Sequence, residues 1–369
     1  MSKHMSTPLQ DLVETLRQSR GFAHKRDISD VVSTLSRALP GGLGDTTLAA
    51  PQGVLLGDDT AAIPDEGGQG HLLFAIEGLV EDFVEKMPWL AGYSAVMVNL
   101  SDIAAMGGRP IAVVDALWSA DAAQAVPMLQ GMAAASAAYG VPIVGGHSNQ
   151  RAAKGQLAVA VLGRARALLS SFAARPGQRL MMAVDLRGQW EAEYPFWNAS
   201  TRAPSARLRD DLELLPQLAE AGLCSAAKDI SMAGILGTAL MLLECSKVGA
   251  HIDLSALPHP PGHGPRDDAV AWQRWLQAFP SFGYLLSVDE DKVADVHDNF
   301  AARDIACRVI GEVCEPRQLW LRDTGAPEHE QALLWDLQHE PFIGARHDEQ
   351  DAHQHTQAPG PTAPEKVAA

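Results

Sequence analysis

The chain has 369 residues, enough for two domains of ordinary size, and 47% of them are hydrophobic, as in water-soluble globular proteins. Acidic residues number 45 against 29 basic ones, and the net charge of −16 repels nucleic acid and anionic lipid; no basic patch offsets it, since Arg202, Arg207 and Arg209 are scattered. The longest apolar run, Ile230 to Leu243, is too short to span a bilayer, and Met1 to Gln10 lacks a secretory pattern, so the expectation is a cytoplasmic protein with neither nucleic-acid nor membrane partners.

Leu9, Leu12, Val13 and Leu16 recur at helical spacing, as do the apolar residues from Ile28 to Leu39, and Pro40 to Gly44 reads as a loop; residues 1–50 form an N-terminal helical segment. Val54 to Leu56 reads as a strand ending in Gly57-Asp58-Asp59, and Leu72 to Ile76 as a second strand. Ser94 to Met106 is predicted helical and stops at Gly107-Gly108; Pro110 to Leu117 is a strand, and Ala122 to Tyr139 an alanine-rich helix ended by Gly140. Strands at Val141 to Val144 and Leu157 to Leu162 complete an α/β domain over 51–168.

A second α/β domain is predicted over 175–322. It has a strand at Arg179 to Val184, helices at Leu208 to Ala221 and Ile230 to Lys247, and then alternating strands and helices to Val313. Residues 188–206 hold Trp190, Tyr194, Phe196 and Trp197 without periodicity and read as a long loop. Residues 345–369 lack an apolar face and read as a disordered tail. Cys224, Cys245, Cys307 and Cys314 form no C-x-x-C pair and lie in apolar segments, as buried thiols do.

Four clusters carry the chemistry. Gly57-Asp58-Asp59 places two carboxylates at a strand end, where open α/β sheets bind ligands and where Mg²⁺ finds hard oxygen donors; the same residues also suit a plain surface turn. Asn99 and Asp102 share one helix face among small and apolar neighbours. Val144-Gly145-Gly146-His147 reads as a glycine turn able to aim backbone N–H groups at phosphate, although a lone histidine is more often structural. Lys228-Asp229 precedes an apolar helix, so Asp229 is either its N-cap or a ligand at the helix start. The histidines at 251, 259 and 263, and at 347, 353 and 355, have no regular element to fix a metal geometry.

In this order and spacing the four clusters resemble the aminoimidazole ribonucleotide (AIR) synthase superfamily, which includes thiamine-monophosphate kinase and selenophosphate synthetase. The Gly57 turn, the Asn99 to Pro110 stretch and Gly145-Gly146 look most like the kinase, and His147-Ser148 is closer to the synthetase. The resemblance implies a two-domain α/β (α+β) PurM-like fold whose N-terminal sheet domain dimerises, with a C-terminal α/β domain over it. It implies ATP and Mg²⁺ as cofactors and a small-molecule acceptor as partner. Asp58, Asp59 and Asp102 would be Mg²⁺–phosphate ligands assisted by Asn99, Gly145 and Gly146 would shape the phosphate loop, and Asp229 would approach from the second domain. This sequence departs from the family pattern in two places: Glu77 stands where the kinase has Asp, and Lys228-Asp229-Ile230 where the family has Ser-Asp-Gly. The added ammonium of Lys228 would hold phosphate or neutralise Asp229. These departures leave room for a non-catalytic nucleotide-binding subunit beside the leading expectation of an ATP-dependent kinase or synthetase.

Overall fold

A computed structural model describes residues 8–38, 55–65, 67–192, 194–326 and 330–345. The loop expected at 40–44, Val54 and the tail beyond Ala345 lie outside these residues. Among the described residues no helix is long and apolar enough to cross a membrane.

Two helices open the chain, α1 (Pro8–Arg17) and α2 (Arg20–Ala38). The first sheet domain then runs β1 (Ala61–Pro64), β2 (His71–Gly78), α3 (Glu81–Lys86), α4 (Pro88–Ala105), β3 (Gly108–Trp118), α5 (Ala122–Tyr139), β4 (Ile143–Asn149) and β5 (Gln156–Ala165). Its strands lie in the order β1-β2-β5-β3-β4, antiparallel except for the parallel β3–β4 pair, whose crossover is α5. The Asp121 carboxylate caps the first turn of α5 by accepting from the Gln124 amide, and Gly140 ends the helix.

Helix α4 is buried along nearly its whole length, because one side covers the sheet, another packs on α5, and its C-terminal half meets the second domain. Small residues such as Ala91, Gly92, Ala95 and Ala104 permit this three-sided contact. The sheet face away from α4 is open. There Phe74, Ile76, Ile111, Val114, Val144 and Leu162 are all exposed, a contiguous apolar surface of the kind that marks an interface.

The second domain contains β6 (Arg179–Val184), β7 (Gln189–Trp190), β8 (Phe196–Asn198), α6 (Ser205–Leu212), α7 (Leu214–Glu220), β9 (Ala226–Asp229), α8 (Gly234–Ser246), β10 (Gly249–Asp253), α9 (Ala269–Leu276), β11 (Phe279–Pro280), β12 (Gly283–Val288), α10 (Val293–Ala301), β13 (Ala306–Cys314), β14 (Gln318–Asp323) and β15 (Glu330–Asp336). Its seven-stranded sheet has the order β15-β14-β10-β13-β6-β12-β9. β15 extends the sheet beyond residue 322. The N-terminal helices belong to this half: α1 packs on β15, α2 packs on α8, and Phe22 of α2 is wholly buried against Trp335 and Phe342.

Four local expectations are corrected. Leu55 and Leu56 are not in a strand; the chain bends through Gly57 to Thr60, and β1 begins only afterwards. Gly145 to Asn149 is no turn but most of β4, held in register beside Val114 to Trp118 of β3. Residues 188–206 are not a structureless loop: β7, β8 and β11 make a small sheet, Trp197 is buried against Trp190 and Trp275, and Phe196 stacks on Phe279. The single helix expected at 208–221 is two, meeting at Glu213.

Candidate functional site

The bend after Leu56, the end of α4 and the end of β9 converge between the two domains. One carboxylate oxygen from each of Asp59, Asp102 and Asp229 comes within 4.8 Å of the others. Each arrives by a different route: Asp59 precedes β1, Asp102 lies in the last turns of α4, and Asp229 is the last residue of β9. Asp229 is therefore not a helix N-cap, since α8 begins at Gly234 with Ala233 before it. The pairing of β9 with Tyr284 to Ser287 of β12 puts it here instead, and Thr238 Oγ1 fixes its carbonyl at 3.1 Å.

Asp59 is the most tied of the three. Lys228 Nζ donates to its Oδ1 at 2.5 Å and the Asp229 amide to its Oδ2 at 3.1 Å, with both side chains of the ion pair 4% exposed. The Lys228 ammonium also reaches the Gly57 carbonyl at 3.3 Å. Burial alone would lower this lysine, but the Asp59 and Asp58 carboxylates outweigh it and hold the amine protonated. In the structure the ion-pair partner of Lys228 is Asp59, and its charge also acts on Asp229.

Asp102 is in the opposite condition. It is 5% exposed, and its Oδ2 is buried without a hydrogen-bond partner. Burial pushes its carboxyl well above the usual range, and the carboxylates of Asp229, Glu77 and Asp59 push it further, against the pull of Lys228. Burial likewise pushes Asp229 up to about 8, reinforced by Asp59 and opposed by Lys228 and Lys25. Three mutually repelling carboxylates with an orphaned buried oxygen are unfavourable alone and are stabilised by a hard divalent cation. The donor set fits Mg²⁺, which prefers oxygen ligands and carboxylates shared with phosphate.

The other sequence-identified residues take different places. Asp58 stands outside the group of three, with its oxygens accepting from the Ser170 hydroxyl at 2.8 Å and from the Ser171 hydroxyl at 2.6 Å and amide at 3.0 Å. It anchors the bend to the interdomain segment. Gly57 has φ +117°, and a Cβ there would meet Ala345 Cβ at 2.6 Å and Cys245 Sγ at 2.7 Å, so glycine is required on both counts. Glu77 lines the cleft from the end of β2 but is also outside the group. Burial raises its carboxyl, and Lys25 draws it back down. Asn99 is wholly buried; its Nδ2 donates to the Ala95 carbonyl at 2.7 Å, its Oδ1 has no partner, and it does not line the cleft. Gly145, Gly146 and His147 are not brought to the carboxylates within the chain, because β4 is the far edge strand and their side is exposed.

Next to the carboxylates is a cavity of about 230 Å³. Its lining includes three groups that the sequence did not single out: Arg20 and Lys25 of α2, and Ser231, whose buried Oγ is unpartnered. In sequence, Arg20 and Lys25 lie between the two predicted helical patterns and belong to no motif. A second missed element is the segment 342–345. Its four backbone amides donate to the buried Glu244 carboxylate of α8, at 2.8, 2.8, 2.8 and 3.2 Å, and Ala345 is thereby pressed onto the Gly57 bend.

Residues 57–165 match the AIR synthase related protein N-terminal domain and residues 183–322 its C-terminal domain, so the chain belongs to the AIR synthase-related family, with the PurM-like two-domain fold. Within it, the chain is 44% identical over 337 residues to an uncharacterized protein of Synechocystis sp., sll0787, covering 91% of this chain and 98% of that one. It is 31% identical to the uncharacterized protein MJ0640 of Methanocaldococcus jannaschii, covering 85% and 94%. Among solved structures it is similar to T. maritima PurL complexed with ATP, with TM-score 0.64, 18% identity and coverage of 89% of this chain; it spans about half, 52%, of the PurL chain. It is also similar to tt0281 from Thermus thermophilus, with TM-score 0.61, 23% identity and coverage of 79% and 95%.

Proposed function

We propose that this protein binds a nucleoside triphosphate through Mg²⁺ at Asp59, Asp102 and Asp229, and uses it to phosphorylate or activate a small acceptor. The observation that carries this reading is the interdomain meeting of three carboxylates, one with an unpartnered buried oxygen. The ATP complex of the structurally similar PurL supports the choice of ligand. Bound Mg²⁺ would draw charge from the transferring phosphoryl oxygens. The protein's own residues then do the positioning. Lys228 and the Asp229 amide fix Asp59, and Ser170 and Ser171 hold the bend through Asp58. The exposed apolar stripe on the first sheet supports a homodimer formed through that face.

Thermal unfolding with Mg²⁺-ATP, with ATP and EDTA, and with neither tests this reading. A ligand at 100 times its dissociation constant adds about 2.7 kcal/mol. The expected result is a Mg²⁺-dependent rise in melting temperature that Asp102→Asn abolishes. An equal rise in EDTA, or an undiminished one in the variant, would overturn the site.

A second reading is a non-catalytic nucleotide-binding subunit. It is supported by the engagement of both Asp59 oxygens by Lys228 and the Asp229 amide, which leaves a metal only their remaining lone pairs. Tight Mg²⁺-dependent binding with no ADP formed in the presence of candidate acceptors separates the two.

A further inference from the structure

Four carboxylates, Glu77, Asp82, Asp102 and Asp229, line the cleft. The rest is walled mainly by apolar groups, with Phe83 and Val80 following β2, Met97 and Val98 on α4, Phe279 on β11 and Met232 after β9. Its volume of about 230 Å³ exceeds the ~150 Å³ apolar cavity that accepts benzene and falls below the ~300 Å³ at which small-molecule sites usually begin. Such a space admits one ring system with a short arm.

The lysine behind the cleft, Lys228, and the one lining it, Lys25, differ in kind. Lys228 is fully engaged by Asp59 and the Gly57 carbonyl. Lys25 lines the cleft half-buried from α2 and makes no hydrogen bond or ion pair with any described residue. Glu77 and Asp229 line the same cleft, and the charge of Lys25 acts on both. Arg20 also lines the cleft from α2, and its only side-chain hydrogen bond among the described residues is a 3.4 Å contact with His24. The helix carrying both is seated closely: a Cβ on Gly21 would meet the Met232 carbonyl oxygen at 2.5 Å, so α2 rests directly on the loop that follows Asp229. Once a divalent cation faces Asp59, Asp102 and Asp229, the cations of α2 are left to meet the second ligand. In the ligand-free cleft the charge of Lys25 acts on Glu77 and Asp229, and with Asp229 turned to a cation the ammonium is left to receive a second anion.

We infer, resting on the nucleotide reading above, that the cleft takes a small acceptor with a ring-sized apolar body and one anionic group, and that Lys25 is the residue receiving that anion. The walls supply affinity for the body, and Lys25 sets its orientation, with the reactive end toward the carboxylates. The anion here is an oxyanion, a carboxylate or a phosphoryl group, borne by the acceptor and not by the nucleotide.

The test uses the full chain saturated with Mg²⁺-AMPPCP and matched probes, phenylacetate against phenylacetamide and indole-3-acetate against its amide, followed by calorimetry. At least one carboxylate is expected to bind ten-fold or more tightly than its amide. That preference should vanish in Lys25→Met and return in Lys25→Arg, with unchanged melting temperatures of the nucleotide-bound variants showing an intact fold. Equal binding of acid and amide in every pair, or a preference that survives Lys25→Met, would overturn the assignment. So would a Lys25→Met variant that weakens Mg²⁺-AMPPCP ten-fold while keeping the carboxylate preference, because the anion would then be the nucleotide's. Failure of Mg²⁺-AMPPCP to stabilise the wild type is a different result and would refute the nucleotide reading itself.

Discussion

Replacing Asp229 with Asn should make the ligand-free protein more stable and the liganded protein less so. The Asp229 carboxyl is pushed from an ordinary 3.8 to about 8, first by burial and then by Asp59. The folded state therefore binds more protons than the unfolded chain between those values, and stability falls as pH rises through that window. At pH 7 the interval above 3.8 corresponds to about 4 kcal/mol, a ceiling because Asp59, Asp102 and Glu77 share the repulsion. Asn keeps the shape and removes the charge, so the expected gain is about 1–3 kcal/mol at pH 7, a rise of a few degrees at roughly 2 °C per kcal/mol. The gain should fade as pH falls toward the unfolded value of 3.8, below which the wild-type carboxyl is protonated in both states. The same variant loses one of three oxygen donors, and the Mg²⁺-AMPPCP increment should shrink or disappear. Differential scanning fluorimetry from pH 4 to 8, with and without Mg²⁺-AMPPCP, reads both effects. A variant that is less stable than wild type at pH 8 without ligand, or that keeps the full ligand increment, would refute the reasoning.

Lys228→Met removes the partner of a buried carboxylate and should destabilise the protein by about 3–5 kcal/mol, measured by urea unfolding at pH 7; a loss under about 1 kcal/mol would mean that Asp59 is solvated. Ile76→Glu places a charge in the exposed apolar stripe and should yield a folded monomer by light scattering, whereas an unchanged oligomeric state would move the interface elsewhere.

The parts legible in sequence are those set by neighbours a few residues away. The alanine-rich pattern, the Asp121 cap and the Gly140 stop delimit α5 without reference to anything distant, and the uniform apolar run of β6 does the same. Sequence misleads where pairing across the fold overrides local chemistry. Gly145-Gly146 has turn composition, yet β3, running on to Trp118, offers it a parallel edge. Lys-Asp before an apolar run has the look of a helix start, yet β12 draws Ala226 to Asp229 into a strand. The carboxylates themselves were visible as motifs, because acidic residues in small, apolar surroundings are anomalous in any fold. Which of them meet was not: Asp58 and Asp59 are adjacent in sequence, and only the serines at 170 and 171 separate an anchor from a ligand candidate. Lys25 carries no local signal, because its importance comes from the seating of α2 on the loop after Asp229.

The four amides gathered by Glu244 bear on how the chain comes off the ribosome. Domains fold during synthesis from the N-terminal side, and the first sheet is complete once Ala165 has emerged. The Gly57 bend that belongs to it must wait for Ala345, the last described residue, to close over it. A nascent chain that has released both family-matched segments, through Arg322, still lacks this latch. Under the proposed function, metal loading thus waits on residues 342–345, and a message truncated shortly after Arg322 would yield a protein that keeps the first sheet but lacks β15 of the second, the latch and a reliable grip on its ligand.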